Sequence, residues 1–246
     1  MTYCVGLCVE EGLVMLSDTR TNAGFDNVST FSKMHVVEVP GERALVLMTA
    51  GNLAVTQAVW ALLERGVWLD GAPQRLTDAP SMFDAALLVG AAVREVARRD
   101  APALAQQGIA FDCSLLLGGQ IAGGPPELQL VYSAGNFIRA TPDTPFLQIG
   151  EHKYGKPILD RVLTPQTTLA RSVALTLVSM DSTMRSNLSV GMPLDLAVIR
   201  RDALAIALRR RFEPDDPYFR EVQQGWSGAL RQAYMALPAP EGLAAP

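Results

Sequence analysis

Histidine, cysteine and charge are scarce in this sequence, and each shortage removes a class of function. Only two histidines, His35 and His152, occur in 246 residues, and the three cysteines, Cys4, Cys8 and Cys113, show no C-x-x-C spacing. A metal site built from such ligands is not indicated, no cofactor motif is present, and an odd number of thiols reads as reduced and mostly buried. Charged side chains make up 19% of the chain, 21 basic against 25 acidic, for a formal net charge of −4. The isoelectric point is near 5.3. A nucleic-acid binder needs a basic face to neutralise phosphates, so no nucleic-acid partner is expected. Long apolar runs are missing too: the stretch 85–93 ends at Arg94 and Glu95, well short of the roughly 18 to 20 residues that cross a bilayer. No membrane partner is expected. The N-terminus has no basic region, and Glu10 and Glu11 interrupt the first apolar run, which argues against a secretory signal and for a cytoplasmic location. G-x-S-x-G, P-loop, G-x-G-x-x-G and H-E-x-x-H signatures are also lacking, and two histidines leave few bases for a serine or cysteine triad.

What is present is an ordinary globular composition, 49% hydrophobic, with 20 glycines and 16 prolines scattered rather than clustered. The length suits one to two domains. With no repeat, charge run or Gly/Ser linker, a single domain over residues 1–236 is expected, and the Ala/Pro-rich residues 237–246 read as a disordered tail. Apolar runs at 2–9 and 13–17, joined by Glu10-Glu11-Gly12, predict a hairpin, and 35–39 with 44–49 predict a second around Pro40-Gly41-Glu42. Four strands thus precede any helix. Val55, Val59 and Leu62 then fall at helical spacing before Gly66, and a second helix follows Ser81, whose hydroxyl suits an N-cap. Strand signals return at 112–117, 127–132 and 137–140, and a helical segment at 156–163 is followed by a helix expected to open at Thr164-Pro165. Strands at 194–200 and 204–209 and an amphipathic helix through Phe219, Val222, Trp226 and Leu230 complete the chain. Blocks of strands alternating with pairs of helices do not fit a doubly wound parallel sheet. They fit an α+β, four-layer α-β-β-α sandwich, two antiparallel sheets between helical layers.

Thr2 follows the initiator methionine, and a small second residue permits removal of Met1. The freed α-amine has an ordinary pKa of about 7.7 to 8.0, so a neutral fraction exists at physiological pH to accept the threonine hydroxyl proton. Nucleophile and base would share one residue.

Several ordered blocks strengthen that reading. They include Thr2-Tyr3-Cys4-Val5-Gly6, then Asp18-Thr19-Arg20-Thr21-Asn22-Ala23-Gly24, Lys33-Met34-His35, Thr49-Ala50-Gly51, Ile149-Gly150-Glu151-His152 and Ser186-Asn187-Leu188-Ser189-Val190-Gly191. In these blocks the chain resembles the proteasome β-subunit family of N-terminal nucleophile hydrolases, and more narrowly its bacterial branch called Anbu, the ancestral β-subunit group. The resemblance implies Thr2 as nucleophile, Asp18 as the buried partner of Lys33, Gly51 as the backbone N–H of the oxyanion hole, and Ser189 as a serine near the threonine amine. Lys33 stands one residue closer to Thr2 than is common in the wider family. The family's aspartate falls on Ser186 or Asn187, with Asp181 as a substitute or a solvated helix-end carboxylate, and Glu151 stands where many subunits carry a serine.

The implied function is a proteasome-like threonine-type peptidase acting on unfolded peptide substrates, self-associating into a ring or open helical oligomer and needing no cofactor or metal. A hydrolase or transferase acting on a small-molecule amide, and a catalytically silent ring-forming scaffold, are the alternatives. Exposure of threonine by loss of Met1 alone, without a propeptide, favours catalysis. The sequence points to no particular regulatory ATPase.

Overall fold

The computed structural model describes residues 2–22, 28–69 and 71–240. Six strands come first: β1 Tyr3–Val9, β2 Gly12–Asp18, β3 Arg20–Asn22, β4 Val28–Thr30, β5 Met34–Val39 and β6 Arg43–Gly51. Helix α1 Leu53–Arg65 follows, then a small hairpin, β7 Val67–Leu69 with β8 Ala72–Gln74, and the long helix α2 Met82–Gln106. Strands β9 Cys113–Ile121, β10 Glu127–Val131, β11 Phe137–Arg139 and β12 Phe146–Gly150 lead to helices α3 Lys156–Val162 and α4 Leu169–Ser186. The chain closes with β13 Leu194–Arg200, β14 Ile206–Phe212 and helix α5 Pro217–Met235.

Two five-stranded antiparallel sheets form, in the orders β12-β1-β2-β13-β14 and β11-β10-β9-β6-β5. Side chains alternate between the faces of a strand, and three separate cores result. Between the sheets lie Cys4, Leu13, Met15, Val46, Met48 and Leu116. On the outer face of the first sheet, Val5, Leu7, Val14 and Leu16 pack on Leu175 and Met180 of α4 and Phe219 of α5. On the outer face of the second, Leu45, Leu47, Leu115 and Leu117 pack on α1 and α2. This is the four-layer α-β-β-α sandwich that the order of elements implied. Strands such as β2 and β6 are apolar at successive positions because both of their faces are buried.

The helices follow their caps. The Asn52 side chain accepts the N–H groups of Ala54 and Val55 to open α1, and Ser81 accepts that of Asp84 to open α2. The helix expected at Thr164-Pro165 begins later, at Leu169, with Thr168 as its cap. Residues 164–167 instead form a turn, in which the Thr167 N–H bonds the Thr164 carbonyl. Two bonds tie that segment to the first hairpin: Glu10 N–H to the Pro165 carbonyl at 2.8 Å, and Leu169 N–H to the Glu11 carboxylate at 2.8 Å. The count of four strands before any helix also becomes six, because β3 and β4 are too short to carry a hydrophobic pattern. Ala23 and Gly24 of the second sequence block, and the last six residues of the Ala/Pro-rich tail, lie outside the described residues. Among the described residues no helix is long and apolar enough to cross a membrane, and the three cysteines are free thiols, Cys4 and Cys113 buried and Cys8 partly so.

Candidate active site

Thr2 immediately precedes β1 and is 9% exposed. Its carbonyl accepts the Glu151 N–H at 2.7 Å, extending the β1–β12 ladder one step beyond the Tyr3↔Gly150 pair. Gly150 has φ +78°, and a Cβ there would overlap the Thr2 carbonyl oxygen. Only glycine fits this approach. Alternation along β1 gives Thr2 the same face as Cys4, toward the second sheet.

Asp18 ends β2 and is fully buried, while Lys33, just before β5, is 4% exposed. The Lys33 ammonium donates to Asp18 Oδ1 at 2.7 Å and to the Arg20 carbonyl at 2.6 Å. Asp18 Oδ1 also accepts the Tyr3 N–H at 3.1 Å, and Oδ2 accepts the Gly191 N–H at 3.4 Å. Burial pushes the Asp18 carboxyl above the ordinary carboxylate range, and the Lys33 charge, its hydrogen bond and the two backbone donors pull against that rise. The same corner silences the neighbouring thiol: burial, and then the Asp18 charge, drive Cys4 far above the usual thiol range, leaving a neutral S–H directed at the Thr49 carbonyl.

Gly51 closes β6 with φ +111°, where a Cβ would run into the backbone of Asp112. Asn52 follows as the α1 cap, so the partial positive charge of a helix N-terminus stands beside Gly51. Thr2, Lys33 and Gly51 all line one cavity of about 630 Å³, whose walls also include Thr21, Ala50 and Leu53. Thus four of the five sequence-predicted site residues meet: three on the cavity wall, and Asp18 directly behind Lys33.

Ser189 is placed differently. It lies in the loop after α4, its N–H donates to Asn187 Oδ1 at 2.9 Å, and it is not part of the cavity wall. That loop reaches the site through Gly191, which touches Asp18. Of the alternatives for the family's aspartate, Ser186 is exposed at the end of α4. Asp181 is 2% exposed, so it is no solvated helix-end carboxylate. Both its oxygens are engaged, one by Arg185 at 2.8 Å and the other by Gln223 of α5 at 2.6 Å. Asn187 is the one that approaches the Thr2 flank: its Nδ2 donates to Glu151 Oε2 at 3.2 Å.

Sequence reasoning missed β12, and with it the role of Gly150. The signal was Phe146-Leu147-Gln148-Ile149 ahead of a glycine. It also missed the Arg20 guanidinium, which donates to the Leu188 carbonyl at 2.9 Å and holds the 188–191 loop beside Asp18. Neither histidine lines the cavity. His35 stacks on Trp60 with ring centroids 4.2 Å apart, and burial lowers its pKa from 6.5 to about 4. His152 is exposed. Among the described residues no group of three His, Cys, Asp or Glu side chains gathers where it could hold a metal ion.

The arrangement pairs a hydroxyl-bearing residue with a buried ammonium, its carboxylate, and a glycine N–H at a helix start, which are the parts acyl transfer requires. A scan against protein-family models finds no match, and neither does a comparison with curated proteins. Solved structures do match. The chain is 50% identical to the protein in the helical assembly of the Anbu complex from Pseudomonas aeruginosa, covering 99% of this chain and all of that one at a TM-score of 0.90. Anbu (ancestral beta-subunit) from Yersinia bercovieri is 47% identical over 98% of this chain and 99% of its own, also at 0.90. Anbu from Hyphomicrobium sp. strain MC1 is 48% identical over 97% and 99%, at 0.87.

Proposed function

This chain belongs to the Anbu (ancestral beta-subunit) family of proteasome-type proteins, and from that premise we propose that it is a threonine-type amide hydrolase acting on peptides. Once Met1 is removed, the Thr2 hydroxyl attacks the substrate carbonyl carbon while the Thr2 α-amine takes the hydroxyl proton. Lys33, held by Asp18, favours the deprotonated oxygen and the neutral amine. The Gly51 N–H and the start of α1 stabilise the oxyanion. Collapse of the tetrahedral intermediate breaks the C–N bond, the leaving amine takes the proton from the α-amine, and an ester to Thr2 remains. Water, deprotonated by the same amine, attacks that ester and regenerates the hydroxyl.

The observation that carries this reading is the buried Lys33–Asp18 pair behind a cavity that Thr2 and Gly51 share. We further infer self-association, since a structure of the Pseudomonas aeruginosa relative is a helical assembly, together with a cytoplasmic location and unfolded chains as substrates. The silent-scaffold reading has its own support: Asn187 and Glu151, bonded to each other next to the Thr2 carbonyl, replace the aspartate and serine of the family pattern, and Ser189 is off the cavity wall.

Intact-protein mass spectrometry of the assembled oligomer, before and after treatment with a threonine-directed epoxyketone or β-lactone, separates the two. Catalysis predicts loss of Met1, a single adduct on Thr2, and no adduct in Thr2→Ala. Retained Met1, or a processed terminus that never labels, supports the scaffold.

A further inference from the structure

Among the described side chains lining the Thr2 cavity, Lys33 and Asp112 are the ionisable ones. The Lys33 ammonium is committed to Asp18 and to the Arg20 carbonyl, so its charge is balanced from behind the wall. Asp112 is different. It is exposed, and among the described residues its carboxylate has no hydrogen-bond or ion-pair partner, while its backbone carbonyl accepts the Asn52 N–H at 2.9 Å. That bond continues the β6–β9 ladder one step past the Gly51↔Cys113 pair. Continued one residue before β9, the alternation of that strand places Asp112 on the cavity side: Cys113, Leu115 and Leu117 face the helices, Leu116 faces the other sheet, and Asp112, on the same parity as Leu116, lines the cavity.

The apolar residues of the wall are Ala50 and Leu53. Apolar contact from Ala50 and Leu53 together with an exposed, unpaired carboxylate suits a long side chain whose stem packs while its charged head stays in water, as those of lysine and arginine do. A substrate carbonyl held between Thr2 and Gly51 delivers the side chains of its acyl half into the rest of this space.

We propose that this cavity selects peptides carrying a lysine or arginine on the acyl side of the scissile bond, and that Asp112 is the specificity-determining residue that recognises the cation. The proposal rests on the hydrolase reading above. It adds a substrate class to that reading and assigns a role to a residue outside the nucleophile, the ion pair and the oxyanion donor.

The test compares acetyl-tripeptide epoxyketones bearing arginine or norleucine at each of the three positions, on the assembled protein, reading the rate of Thr2 adduct formation by intact mass spectrometry. At one position the arginine probe should label the wild type about threefold to fivefold faster than its norleucine counterpart, the range expected for a solvent-accessible ion pair. The ratio should fall to about one in Asp112→Asn and below one in Asp112→Lys, as an attraction is removed and then reversed. A ratio near one at every position in the wild type overturns the proposal, as does a preference that Asp112→Asn leaves intact. If no probe labels Thr2, the nucleophile reading fails on its own. Calorimetric binding of the corresponding arginine and norleucine peptide amides to wild type and Asp112→Asn then decides the question. Tighter arginine binding that the variant loses supports Asp112, and equal binding overturns it.

Discussion

The two flanks of Thr2 are built on opposite terms. On one side Asp18 and Lys33 are buried, carry opposite charges 2.7 Å apart, and hold further bonds to Tyr3, Gly191 and Arg20. On the other side Glu151, after β12, and Asn187, after α4, meet at 3.2 Å between two partly exposed loops, a carboxylate against a neutral amide. Buried charge is fixed by the cost of leaving it unpaired, whereas a partly solvated polar contact can change at little cost in stability. The first flank is therefore an anchor that is costly to change, and the second can change with little loss of stability.

The sharpest way to break this contrast is Lys33→Ala. It strands a fully buried carboxylate, so it should cost about 3 to 5 kcal/mol in denaturant unfolding, in line with broken buried pairs, and abolish Thr2 labelling. A loss below about 1 kcal/mol, the range of surface pairs, would mean that the anchor is not one.

Acid titration needs a control before it can be assigned to the Asp18 flank, and His35 supplies it. Its folded pKa of about 4 lies below the ordinary 6.5, so the unfolded chain binds the proton first as pH falls. Stability is then complete above about pH 6.5 and lost on descent toward pH 4, by up to about 3 kcal/mol. Thermal midpoints across that window should flatten in His35→Phe, which keeps the stack on Trp60. An unchanged slope would hand the loss to another group.

Gly150→Ala joins the flanks, since Gly150 pins the Thr2 carbonyl from the Glu151 side. A residue with a Cβ at φ +78° should cost about 1 to 3 kcal/mol and slow labelling by displacing Thr2. Normal labelling with normal stability would show that this close contact does not position the threonine.

The smallest effect belongs to the second flank. Asn187→Asp removes the donor to Glu151 and should cost only about 1 kcal/mol. The added negative charge favours a protonated α-amine, so the acid limb of the labelling-rate profile should move to higher pH. A static profile would separate this loop from proton handling altogether.

How much of this was legible in the sequence follows contact distance along the chain. Thr2, Asp18, Lys33 and Gly51 all lie within the first 51 residues, in ordered motif blocks whose resemblance to a known family implied their roles, so all four were reached. Strand β12 escaped because its five residues include Gln148, whose side chain bonds the Tyr3 hydroxyl 145 positions away. Asp181 was misread as solvated because helical spacing alone does not reveal that α5 covers it; Gln223 and Arg185 hold it in place. The start of α4 moved because Glu10 and Glu11 of the first hairpin capture the 165–169 backbone, a competition no local propensity contains.

The sequence by itself determined the layers and the chemistry available: apolar runs buried on both faces, helices with readable caps, and one hydroxyl, one carboxylate and one ammonium in a recognisable order. Only the tertiary structure decided which of those groups meet, because the β1–β12 pairing, the approach of the 188–191 loop to Asp18, and the turning of Asp112 toward the cavity all depend on contacts between segments far apart in the chain. Hydrophobic pattern fixes which face a residue takes, but the distance between two faces is set by the packing of the whole sandwich.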